Sequence, residues 1–93
     1  MVKENPITNR QIVLTEHARQ RYQERIGAAT IGEMVTKVYQ SRIVGRRLYK
    51  KITKFSRYAD EPHVVYTVTH DRVVFVTAIG GSRARVLTCW VMN

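Results

Sequence analysis

The stretch Thr15-Glu16-His17-Ala18-Arg19-Gln20-Arg21-Tyr22-Gln23-Glu24-Arg25-Ile26-Gly27 opens on a residue that caps helices and closes on one that stops them. The Thr15 hydroxyl can accept a hydrogen bond from an amide of the first turn. Gly27 can take the positive-φ conformation that residues with a Cβ avoid. At about 100° per residue, Ala18, Tyr22 and Ile26 line up as an apolar stripe, with His17, Arg21 and Arg25 as the stripe beside it. The stretch reads as a helix that buries one side and displays an imidazole and two guanidiniums next to it. Gln11-Ile12-Val13-Leu14, immediately upstream, is short, β-branched and apolar, so it reads as a strand running directly into this helix.

Downstream, Thr30-Ile31-Gly32-Glu33 has the spacing in which a cap hydroxyl and a carboxylate exchange hydrogen bonds with each other's backbone amides. A second helix starts there. Ile31, Met34, Val35, Val38 and Tyr39 fall on one face, predicted to be buried, with the helix ending near Ser41. Residues 63–69 and 73–79 are β-branched and aromatic and flank His70-Asp71-Arg72, which predicts a hairpin. Gly80-Gly81-Ser82 then turns the chain into a last strand over 83–91. The expected fold class is α+β: a strand, two helices, then a three- or four-stranded antiparallel meander. Residues 1–10 lack periodicity and carry Pro6, so they read as a flexible arm ahead of a single domain at 11–93.

The segment from Arg42 to Tyr58 concentrates charge. It holds Arg42, Arg46, Arg47, Lys50, Lys51, Lys54 and Arg57 and no acidic residue. Leu48, Ile52, Phe55 and Ala59 lie close together on a helical wheel with most of the bases opposite, which supports a basic amphipathic helix. Residues 52–58 are also rich in β formers and precede a turn at Ala59-Asp60-Glu61-Pro62, which supports the first arm of a hairpin. Both readings stand on the sequence. The whole chain carries +9, from 16 basic and 7 acidic residues, and most of the basic ones are Arg, whose planar fork matches phosphate geometry. An anionic partner is expected: nucleic acid first, RNA ahead of DNA, with an acidic protein or an anionic membrane surface behind it. No apolar run reaches the ~18 residues of a membrane span, and the polar N-terminal residues do not resemble a signal peptide, so a cytoplasmic protein is expected.

Among candidate reactive groups, His17 with Arg21 and Arg25 could hold a phosphate while the imidazole moves a proton, chemistry that suits metal-independent RNA cleavage. An ordinary histidine at a strand-helix junction, beside a solvated arginine face, explains the same residues. Arg83 and Arg85 share a strand face and either extend the basic surface or guard a strand edge against aggregation. Cys89 alternates with Leu87 and Val91 and reads as a buried thiol. His63 and His70 lack metal-ligand spacing with each other or with Cys89, so neither a metal nor a cofactor is expected.

The pattern His17-Ala18-x-x-Arg21-x-x-x-Arg25 resembles the His-Ala-x-x-Arg-x-x-x-Arg signature of small bacterial and phage domains grouped with the RelE, barnase and colicin D type of ribonuclease fold. The element order is similar to that fold. The resemblance implies a toxin-like endoribonuclease with His17 as acid/base group, Arg21 and Arg25 assisting, and Thr77 as a polar strand residue facing the helix.

Overall fold

The computed structural model describes residues 7, 9–54, 58 and 61–92. Its centre is strand β4 (Val73–Gly80), and the reason is compositional. Val73, Phe75 and Thr77 point to one face and Val74 and Val76 to the other, and all five are buried. A strand apolar on both faces needs cover on both. On its N-terminal side in sequence it pairs antiparallel with β3 (Val64–Val68), and on its other edge with β5 (Arg83–Val91), also antiparallel. The sheet is completed by β2 (Arg42–Ile43), antiparallel to β3, and β1 (Gln11–Leu14), parallel to β5, in the order β1-β5-β4-β3-β2.

Helices α1 (Glu16–Arg25) and α2 (Ile31–Gln40) cover the first face. Ala18, Tyr22, Met34 and Val38 pack there with Ile12, Val73, Phe75, Ala84, Val86 and Cys89. Helix α3 (Arg46–Thr53) covers part of the second face, where Leu48 and Ile52 pack against Val44, Tyr66, Val74 and Val76. The expected α+β class holds, with three helices and a mixed five-stranded sheet. Two expectations are corrected. The sheet is not wholly antiparallel, because β1 runs parallel to β5. Helices also lie on both faces, because residues 46–53 form α3: of the two readings the helix is seen, and Ile52 and Thr53, which the alternative placed in a strand over 52–58, belong to it, residues 55–57 lying outside the described residues. Tyr49 settles this segment: it meets Tyr66 edge-on at 5.6 Å between ring centroids while Leu48 and Ile52 face the sheet, a set that helical spacing brings to one side. Phe55, Arg57 and Ala59, which the sequence pattern drew into the same segment, lie outside the described residues.

Both caps form as expected. Thr30 and Glu33 make the reciprocal capping box. Thr15 accepts from the Ala18 amide at 3.1 Å and donates its own hydroxyl proton to the Val86 carbonyl at 2.7 Å. The Val86 carbonyl also accepts from the Thr15 amide, so it takes two bonds from the cap residue of α1. Beside it the β4–β5 ladder is irregular: Thr77 and Val76 pair with Val86 and Thr88, leaving Leu87 as an extra residue. Gly27 ends α1 with φ +145° and donates to the Tyr22 carbonyl. Within the anticipated arm, Ile7 is fully buried in the first-face core and the Arg10 Nε donates to Gly81 O, while residues 1–6 and 8 lie outside the described residues. Helix α2 also buries less than expected, since Ile31 and Tyr39 are exposed and the Tyr39 hydroxyl donates to Arg10 O.

Candidate nucleic-acid interface

The α1 group sits at the surface. His17 and Arg25 are exposed and Arg21 is half-buried. Arg21 Nε lies 3.5 Å from His17 Nε2, a long contact in which a neutral imidazole accepts, and Arg21 Nη1 pairs with Glu24 Oε2 at 2.9 Å. With 38% and 48% of their side chains exposed, the partners of that pair gain little, about 0.3–0.5 kcal/mol, so an incoming anion can displace Glu24. Arg25 serves the fold instead, since its Nη1 donates to Cys89 O at 3.1 Å and fastens the C-terminal end of α1 to β5. Thr77 lies on the same face of β4 as Val73 and Phe75, but it has no accessible surface, and its Oγ1 finds no hydrogen-bond partner among the described residues. A solute reaching His17 and Arg21 therefore does not touch Thr77.

The second face is built differently. Leu48, Tyr49, Ile52 and Thr53 turn α3 toward the sheet, which leaves Arg46, Arg47, Lys50 and Lys51 on its outer side, all exposed. These four span a sector of about 140° over little more than one turn. The helix breaks two local rules. Its cap, Gly45, offers no side-chain hydrogen bond, and its first turn holds Arg46 and Arg47 where the helix dipole favours acids. Each such cation costs roughly 0.3–1 kcal/mol, a cost an anion on this surface would reverse. Exposed Lys54 continues the basic side, and exposed Arg42 lies on β2, the sheet's edge strand. Arg57 lies outside the described residues.

Because Val74, Val76, Ala78 and Gly80 alternate onto one face, and Arg85 and Arg83 pair with the last two, both arginines stand on the same face as α3. The parallel pairing of β1 sets Val13 beside Arg85. Together with His63, just before β3, these residues line a concavity of about 370 Å³. The edge-guard reading of Arg83 and Arg85 thus gives way to a surface role, since β1 covers the β5 edge on which they would have stood guard. Sequence reasoning left His63 and Val13 out of any site. The backbone bond from the Ile79 amide to His63 O and the β1–β5 register bring them in, and both are contacts between distant parts of the chain.

Cys89 is buried against the Ala18 carbonyl, and burial pushes its thiol up to about 11, so it is protonated and inert at neutral pH. Asp71 is held below its usual range by hydrogen bonds from Thr69 and Lys37, the latter at 3.0 Å, and it braces the β3–β4 turn against α2. No protein-family model, curated protein or solved structure matches the chain.

Proposed function

We propose that the protein binds RNA through the second face of its sheet, with α3 as the phosphate-contacting element and Arg83 and Arg85 extending the surface. The observation that carries this reading is the outer side of α3: four exposed cations on a helix that lacks an acidic counterpart and keeps arginines at its unfavourable end. Phosphate contacts release counterions, so affinity for a labelled single-stranded RNA should fall with salt at a log–log slope of about −0.7 per phosphate contacted. Four contacts from α3 give a slope near −3, and the double substitution Arg47→Ala, Lys51→Ala should make it shallower by about 1.4. Absent or salt-independent binding would overturn the proposal. Binding of a cellular fraction that survives nuclease treatment would favour an acidic protein partner instead.

A second reading is supported by one contact, exposed His17 beside Arg21. In it the protein is a metal-independent endoribonuclease of the RelE, barnase and colicin D type: His17 takes the 2′-hydroxyl proton as that oxygen attacks phosphorus, Arg21 steadies the negative charge on the phosphorane oxygens, and the P–O5′ bond breaks, the 5′-oxygen leaving with a proton from solvent and a 2′,3′-cyclic phosphate remaining. Before it can accept that proton, Nε2 must exchange the Arg21 contact for the substrate. Incubation with total RNA in EDTA tests it: cleavage by the wild type and none by His17→Ala is the expected result, and equal cleavage by both removes the catalytic claim.

A further inference from the structure

We infer that the concavity between β1, β5 and β4 receives one unpaired nucleotide, so that the second face selects single-stranded over double-stranded RNA. The inference rests on the RNA-binding reading and adds a specific seat to it. Arg83, Arg85 and His63 give its lining charged and polar groups, and Val13, Ala78 and Ile79 give it apolar surface beside the bare backbone of Gly80. Two guanidiniums alone would suit any phosphate. An apolar surface beside an imidazole adds nothing for a free phosphate, but it suits the flat face of a base, which stacks on histidine rings and arginine planes.

Size agrees, since about 370 Å³ lies in the range of small-ligand sites and leaves no room for a base pair within a duplex. The recess exists because β4 ends in small residues. Ala78 and Gly80 stand where larger side chains would fill the space between Arg85, Arg83 and His63, and a Cβ at Gly80 would meet no atom within 4 Å. Among the described residues neither arginine is paired with a carboxylate. Position completes the case: α3 lies on the same face, so a strand held by its phosphates on Arg47 and Lys51 can continue toward the recess.

Gly80 supplies the decisive variant. Its φ is not in the positive region, so Gly80→Val is accommodated by the backbone while its branched side chain narrows the recess and leaves every charge in place. Arg85→Ala serves as a second variant, exposed and outside the core. Fluorescence anisotropy should be measured with a short unstructured RNA and with the same RNA annealed to its complement. The wild type should prefer the single strand by about tenfold, the size of one stacked base. Gly80→Val and Arg85→Ala should lose most of that preference while duplex affinity, set by α3, stays within about twofold for Gly80→Val. A nucleoside 5′-monophosphate should compete better than inorganic phosphate at equal concentration. Equal affinity of the wild type for the two RNA forms, or an unchanged preference in both variants, would overturn the inference while leaving salt-dependent RNA binding intact. Loss of all binding by the wild type would overturn both.

Discussion

At the scale of single residues, two buried groups make testable statements about the core. Thr77 keeps a hydroxyl in the first-face core with no partner among the described residues, and an unsatisfied buried polar group costs about 1–3 kcal/mol. Thr77→Val has nearly the same shape and removes that cost. It should stabilise the protein by about 1 kcal/mol and raise the melting temperature by about 4–8 °C. RNA binding should not change, because Thr77 has no accessible surface. Cys89 adds a pH dependence. Its folded pKa of about 11 lies above the ~8.5 of a free thiol, so the folded protein holds this proton more tightly than the unfolded chain. The stability so provided is complete below the unfolded value and is lost as pH rises through the folded one. Burial likewise raises Tyr22, which adds to the same alkaline loss. Melting temperatures at pH 8 and at pH 11 should differ less for Cys89→Ala than for the wild type, even though the variant starts lower for want of packing. A thiol reagent at neutral pH should label the wild type only after denaturant is added. Cys89 was read as buried and is, but not through the alternation with Leu87 and Val91, since Leu87 packs on the second face and Val91 is exposed. The missing partner of Thr77 was not legible, because it depends on what the facing helix brings to that point.

At the scale of elements, the caps show what local sequence can specify. Thr30 and Glu33 find each other within one turn, and that box was readable from spacing alone. Thr15 was readable as a cap but not as a tie to β5, because the carbonyls it reaches, those of Val86 and Leu87, lie some seventy residues away. The two threonines should therefore respond differently. Thr30→Ala loses one local cap, about 1 kcal/mol, whereas Thr15→Ala loses the cap and the hydroxyl's bond to the Val86 carbonyl, which keeps the residue-15 amide as a donor, about 2 kcal/mol in all. Chemical denaturation of both variants measures the gap, and equal losses would refute the tie. Helix α3 shows the opposite limit. Its β-forming residues and its helical wheel pointed different ways, and the choice was made by Tyr49, Leu48 and Ile52 finding Tyr66, Val74 and Val76 across the sheet. A local sequence can name the residues that will be buried, but only the partner surface selects which periodicity buries them. The exposed Ile31 and Tyr39 of α2 follow the same logic, since their stripe is wider than the surface available to cover it.

At the scale of the whole molecule, a charge of +9 acts on folding and on binding with opposite sign. Sixteen cations among seven anions repel one another in the compact state, and salt screens that repulsion over a Debye length of about 10 Å at 0.1 M. Raising the salt from about 50 to 500 mM should therefore raise the melting temperature while the same series weakens RNA binding. A melting temperature that falls with salt would mean that the cations are paired internally more than they repel. The mixed sheet belongs to this scale too. That β1 and β5 would each be strands was legible in their composition. That they would lie side by side and parallel was not, because nothing near Gln11 or Arg83 encodes the other. The same pairing bears on synthesis. As the chain leaves the ribosome, β1 and α1 emerge well before β5, yet β5 is the strand that hydrogen-bonds β1, takes the Thr15 hydroxyl and anchors Arg25. In the nascent protein β1 and α1 must wait, their apolar stripe unpaired, for the roughly seventy residues that separate them from their partner strand.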